Sequence, residues 1–426
     1  MIKKCWVPLV FIFLLFPVLV WGLDFDTNSY GAISDYLDKI YGIDDNAGLT
    51  AFPVLNIPIG GRSEGMASAF AAVADDASFI EFNPAGSSML TKSELAFFHN
   101  NWIADTKIEG LVYANRIKDF GFAAAGKWLY TPFSEYNLYG DRVSKGYYSE
   151  AVATLNGSYN FFSGYYFSGV SLGASLKGAF RFVPDYADDE SGSVMTGSGR
   201  DQSAGMVMAD FGALTRFDLL KFYASRDRNT SVALVVRNLG PPAMDDPLPT
   251  AAVAALSYKP LRPLLIAFDF SLPVNLKNPE LSERPYWSLG FSANVTSFLS
   301  MRTGLMAKAG NVRLAVGSAI TLKKIALDVN YTLDLLTQLQ PLNRVSVGVR
   351  FDLGDHGRQQ NADEVDRLYL AGLDAYAQTN YTEAQYYWEE AIRLNPKFAP
   401  ARENLETLNR ALAVQQRMDE LQRLDF

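Results

Sequence analysis

The chain has 426 residues, a formal net charge of −8, 13% aromatic and 20% charged residues, and only one cysteine and two histidines. An acidic balance is the wrong sign for binding nucleic acid, and a lone cysteine excludes a disulfide framework and paired-cysteine metal sites. Mean hydropathy is −0.00, and beyond the N-terminus no uninterrupted apolar run is long enough for a helical membrane span.

In chain order, Lys3 and Lys4 precede an apolar run from Cys5 to Trp21, with the small Gly22 at its end. This reads as a secretory signal peptide over residues 1–22, removed together with the only cysteine. Residues 23–93 form a leader. A short helix is expected over Tyr30–Tyr41, where Ile33, Tyr36, Leu37 and Ile40 share a face. Residues 59–90 then become rich in small residues, including Gly60-Gly61 and the stretch Met66 to Ala74, which could be a short helix. Within Ala74-Asp75-Asp76-Ala77-Ser78-Phe79-Ile80-Glu81-Phe82-Asn83-Pro84-Ala85-Gly86, Asp76 and Ser78 are suited to cap or turn the chain. Asn83-Pro84 imposes an extended residue before a fixed φ, and Gly86 permits an unusual one. Read alone, this is a turn leading into the first strand. A segment so rich in small residues also fits a narrow lumen.

From 94 to 353 the pattern is strict alternation, giving about fourteen strands. Val345, Val347, Val349, Phe351 and Leu353 hold one parity against Arg344, Ser346, Gly348, Arg350 and Asp352. Ile325, Leu327, Val329, Tyr331 and Leu333 oppose Ala326, Asp328, Asn330 and Thr332. Successive strand side chains point to opposite faces, so each strand carries one apolar and one polar-to-small face. Many runs reach ten residues, the length a tilted strand needs to cross a bilayer. Short turns alternate with longer polar connections, expected at 131–147, 184–202 and 275–284. A closed transmembrane antiparallel β-barrel with an N-terminal plug satisfies every backbone group in lipid, so the fold class is mainly β.

A polar linker, 354–360, leads to a helical tail, 361–426. Leu368, Gly372, Ala375, Ala384, Trp388, Ala391 and Pro396 fall at tetratricopeptide offsets, with small residues where two helices approach and Trp388 filling the gap. Tyr369, Tyr376 and Tyr387 are candidates for a periplasmic protein-binding surface, though such rings more often belong to a core or its flank.

Enzyme readings are weak. Gly169-Val170-Ser171-Leu172-Gly173 has the hydrolase spacing but lies in an alternating strand, not at a strand-to-helix elbow. His99 and His356 are far apart, so neither a histidine metal site nor a triad is indicated. The chain is expected to be no enzyme and to need no cofactor or metal.

The small-residue segment, Asp75-Asp76-Ala77-Ser78, an aromatic residue, Asn83-Pro84-Ala85-Gly86 and then about fourteen strands together resemble the FadL-like long-chain fatty-acid transporters. That resemblance covers about 60–353 and is tight only around 75–86. It implies a hatch containing Phe79, Phe82, Asn83, Pro84, Ala85 and Gly86, a hydrophobic small molecule or lipid as ligand, and lateral release into the membrane. Val236-Arg237-Asn238-Leu239-Gly240 and Leu248-Pro249 resemble barrel relatives that act in secretion, which implies the alternative of a non-transporting scaffold. Either places the chain among the lipids of the outer membrane of a diderm bacterium, with the tail periplasmic. The seventy residues after the last strand depart from the family, whose barrels end with that strand.

Overall fold

A computed structural model describes residues 42, 44–103, 105–137, 139–183, 186–187, 194–195, 203–309, 311–336 and 342–424. The signal sequence, the Tyr30–Tyr41 helix and most of the acidic stretch around 184–202 lie outside them. The chain divides into two compact units: one reaching to Phe161 and resuming over Val170–Leu353, the other made of Phe162–Gly169 and Gly354–Phe426.

The first unit is a closed antiparallel barrel of fourteen strands, each paired with its sequence neighbour, with the last closing onto the first. The strands are β1 (Ser93–Asn101), β2 (Lys107–Ile117), β3 (Phe120–Tyr136), β4 (Arg142–Phe161) and β5 (Val170–Phe182). Two short strands, β6 (Tyr186–Ala187) and β7 (Val194–Met195), pair only with each other. The barrel continues with β8 (Ala204–Phe217), β9 (Thr230–Leu239), β10 (Ala251–Leu261), β11 (Leu264–Pro273) and β12 (Tyr286–Asn294). It closes with β13 (Leu299–Lys308), β14 (Asn311–Leu322), β15 (Ile325–Leu336) and β16 (Leu342–Gly354).

The alternation sorts the wall as expected. Leu155, Leu172, Leu176 and Leu234 point outward and are exposed, whereas Asn156, Ser158, Ser171 and Ser175 point into the lumen and are buried. Outward aromatic rings collect near both ends of the strands. Trp128 and Tyr130 stack at 4.6 Å near Tyr147, and Tyr159 meets Phe161 at 4.9 Å beside Phe120. Tyr147 and Tyr159 lie about 40 Å apart along the strand, which a barrel's tilt projects to roughly 30 Å along its axis, about the thickness of a bilayer's hydrocarbon core.

Two boundaries differ from the sequence reading. Residues 131–147 are not a loop: β3 and β4 continue as a paired hairpin down to Tyr136↔Arg142. Backbone pairing carries this polar hairpin beyond the apolar band, where no periodic signal marks it. Conversely, 165–169 is not strand. Those aromatics favour strands by propensity, but they pack in the second unit instead. The Ala-rich stretch also forms no helix of its own; α1 is a single turn, Arg62–Gly65, and the chain then turns through 66–74.

The second unit has three helices, α2 (Arg358–Ala377), α3 (Tyr381–Leu394) and α4 (Ala399–Leu424). Trp388 is fully buried, and its Nε1 donates to Tyr369 O at 3.3 Å. Any Cβ at Gly372 would stand 2.4 Å from that nitrogen, so the glycine is what admits the indole. The segment Phe162–Gly169 packs on these helices. The Tyr165 ring meets Phe398 at 5.2 Å, Phe398 meets Tyr369 at 5.3 Å, and Tyr166 Oη donates to Glu403 at 2.9 Å.

Candidate functional site: a plug in the barrel lumen

The plug begins with local caps. Asp76 accepts from Ser78 N at 2.9 Å and starts one 3-10 turn, Ala77–Glu81. Asn83 starts the next, Pro84–Met89: its Oδ1 accepts from Ala85 N at 3.0 Å while its Nδ2 donates to Ala71 O at 2.8 Å. One carboxamide thus ties both ends of the compact segment together. Phe79 is completely buried, with its ring against Gly86, where a Cβ would come within 2.7 Å. Phe70 packs edge-on against Phe82 at 5.9 Å, and Arg237 lies over the Phe82 ring.

The wall then grips the plug backbone through inward-facing polar residues. Asp269 accepts from Phe70 N and Ala71 N at 3.0 and 2.9 Å, Asn156 donates to Pro84 O at 2.9 Å, and Asn330 to Gly61 O at 2.9 Å. Ser171 donates to Ala85 O at 2.7 Å, and Ser158 accepts from Ser88 N at 2.7 Å. Ser171 therefore helps hold the plug and lies in β5, with no strand-to-helix elbow around it.

Charge adds to this. Arg344 pairs with Glu64 at 2.9 Å, and Arg350 with Asp76 at 3.1 Å and Asp328 at 2.9 Å. Burial works against the Asp75 charge, but Arg62, 2.7 Å away, with Lys259 and Arg216 beyond, more than offsets it and holds its pKa below the ordinary aspartate range. The wall is shaped to the plug as well. A Cβ at Gly173 would stand 2.3 Å from Pro84 O, at Gly212 2.2 Å from Asn83 Oδ1, and at Gly304 2.3 Å from the Met66 carbonyl carbon.

Above the plug, toward the longer loops, lies a cavity of about 800 Å³. Leu49, Leu55, Ile57, Phe82, Trp102 and Leu248 give it apolar surface; Glu81, Arg237, Arg313, Asp334 and Arg344 give it polar surface. Of Phe79 and Phe82, only Phe82 borders this cavity; Phe79 is sealed inside the plug, and the lining is mixed.

Of the sequence-derived candidates, Phe79 to Gly86 converge in this one segment. In the helical unit, Tyr369 accepts a bond from Asn404 Nδ2 at 3.2 Å, Tyr376 lies against Tyr381 and Trp388, and Tyr387 Oη donates to Glu383. His99, on the outer face, bonds Glu109 through Nδ1 at 2.8 Å and faces Asn101 at 3.2 Å. The gripping residues Asn156, Asp269, Asn330, Arg344 and Arg350 were not singled out from sequence. Their inward parity was the available signal, but nothing in a linear pattern says which plug atom each will meet.

The molecule is therefore a plugged, fourteen-stranded antiparallel barrel with a helical region after its last strand. Its chain belongs to the uncharacterised protein family UPF0164, whose model matches residues 28–356. A UPF0164 protein of Treponema pallidum (strain Nichols) is 30% identical over 382 residues, covering 85% of this chain and 83% of the relative. Another from the same organism is 26% identical, covering 85% and 76%. Among solved structures, the TodX monoaromatic hydrocarbon channel deltaS2 mutant is similar at 12% identity and TM-score 0.40, covering 68% of this chain and 98% of that one. The outer membrane phospholipase A from Escherichia coli is similar at 11% identity and TM-score 0.28, covering 62% and 97%. One is a channel and the other an enzyme, and likeness at this level carries no argument about activity.

Proposed function

We propose that this protein is an outer-membrane barrel for passive uptake of hydrophobic or amphipathic small molecules, with long-chain fatty acids or similar lipids as the substrate class. The observation that carries the reading is the cavity of about 800 Å³ floored by Glu81 and Phe82 of the plug, a volume usual for small-ligand sites. In this reading residues 1–22 are a cleaved signal, 23–93 the leader and hatch, 94–353 the barrel, 354–360 the linker, and 361–426 a periplasmic tetratricopeptide-like domain. Phe82 contacts the ligand; Phe79, Asn83, Pro84, Ala85 and Gly86 set the hatch. The packing of Trp388 over Gly372 supports the repeat assignment, with Tyr369, Tyr376 and Tyr387 as the partner-binding candidates.

The test is uptake of fatty acids of several chain lengths by a host lacking its own transporter. Asn83→Ala removes both the cap on Ala85 N and the bond to Ala71 O, and should change uptake while the barrel stays heat-modifiable on a gel. The alternative is a non-transporting scaffold for secretion or the cell surface. It is favoured by how closely the glycine-lined wall fits the plug, and it prevails if the unmutated protein gives no uptake above empty vector.

A further inference from the structure

At the opposite end of the lumen, where β10, β12 and β14 finish, a second cavity of about 240 Å³ lies below the plug. Five cations line it: Arg62, Lys259, Arg262, Arg302 and Arg350. Asp75 is its one carboxylate. Hydroxyls of Ser292, Ser300 and Thr321 complete a surface made largely of hydrogen-bond donors.

The charges are not balanced from within. Arg62 is matched by Asp75 at 2.7 Å, Arg302 by Asp328 at 2.7 Å, and Arg350 by Asp328 at 2.9 Å, Asp76 at 3.1 Å and, more distantly, Glu94 at 3.8 Å. Asp328, Asp76 and Glu94 stand behind the lining, and two arginines share Asp328. Among the described residues Lys259 makes no ion pair, and Arg262 donates only to the carbonyl oxygen of Ala224. Arg302 is 2% exposed, and its Nε has no acceptor. Two cations without a carboxylate partner, beside a buried guanidinium nitrogen without an acceptor, are costly unless an anion answers them. Guanidinium groups match carboxylate and phosphate oxygens by geometry as well as charge. At roughly 30 Å³ of liquid volume per water, the space suits an oxyanion with a few waters and is too small for an alkyl chain.

We propose that this cavity binds an oxyanion, a phosphate or carboxylate, either free or as the head group of an amphiphile. The site stands apart from the transport reading; only the amphiphile source rests on it. The full chain in neutral detergent is titrated calorimetrically with sodium phosphate and with dodecyl phosphate, against sodium chloride at matched ionic strength. Saturable binding is expected, weakened at least tenfold in Lys259→Met and in Arg262→Gln, and kept near the parent value in Lys259→Arg. Arg262 is exposed in the β10–β11 turn, so its replacement leaves the barrel intact even if Lys259→Met perturbs it.

Equal affinity for the two probes assigns a free anion. Dodecyl phosphate bound tenfold more tightly, with the same dependence on Lys259 and Arg262, assigns an amphiphile. No saturable binding of either probe, or binding indifferent to both substitutions, overturns the site. Uptake is scored separately. Transport without anion binding removes this inference alone, and anion binding without transport removes only the transport reading.

Discussion

Gly212→Ala is the sharpest test of the fit between wall and plug. The added methyl would sit 2.2 Å from Asn83 Oδ1 and 2.9 Å from Pro84 Cδ. Strand backbone does not yield easily, so the Asn83 carboxamide must move, and it then gives up both Ala85 N and Ala71 O. Leaving two buried backbone groups poorly paired costs on the order of 2–4 kcal/mol in all. The loss falls on opening of the plug, because the barrel ladder is untouched. Native-state hydrogen exchange should then show amides around 83–88 exchanging faster by roughly thirtyfold to several hundredfold, at about 1.4 kcal/mol per factor of ten. Gly157→Ala is the control, since a Cβ there meets nothing within 4 Å. Equal protection of the plug in the two variants would refute the claim that the wall glycines are there to receive it.

Trp388→Ala should cost about 3–5 kcal/mol, the range for emptying a buried aromatic site. In the full chain this should make residues 358–424 protease-sensitive while the barrel keeps its heat-modifiable mobility; unchanged resistance would place the indole outside the helical core. For topology, a cysteine at Gly140 should be labelled on intact cells and one at Gln385 protected, and the reverse pattern would invert the orientation. Asp355 accepts from Gln359 N at 2.7 Å and Gly357 N at 3.0 Å, and these bonds hold its pKa below the usual aspartate value. Its contribution to the start of α2 is therefore present above the unfolded-chain pKa and lost as pH falls through the lower folded one. Helicity of the tail should be flat from pH 5 to 8 and decline below about pH 4, a decline that Asp355→Asn should lessen, the Glu364–Arg367 pair supplying part of the rest.

The strands were legible because a barrel wall has two solvents, and a period of two is the only pattern that serves both. Val345 and Arg344 could be assigned to opposite faces from sequence and lie there, 40% and 3% exposed. Legibility failed where that pattern stops. In the hairpin beyond Tyr130 the sequence shows no alternation, yet the backbone stays paired, so pairing outlasts the side-chain signal. Tyr165, Tyr166 and Phe167 carry strand propensity, but a long-range aromatic contact with Phe398 overrides it. The plug was legible only through resemblance, because its conformation depends on wall atoms far away in sequence: Asp269 reaches Phe70 across 199 positions.

The helical unit is built from two pieces of chain, Phe162–Gly169 and Gly354–Phe426, and that has a consequence for biogenesis. The aromatic turn is synthesised well before its partners, Phe398 and Glu403. Closing so long a loop adds only a slowly growing entropy cost, so the delay is one of time more than of stability. Until those residues have been made, Tyr165 lacks its ring partner and Tyr166 its acceptor in α4. A chain cut short before Phe398 lacks both the ring that Tyr165 meets edge-on and the Glu403 carboxylate that Tyr166 bonds, and a chaperone or protease could tell it from the longer chain by that difference.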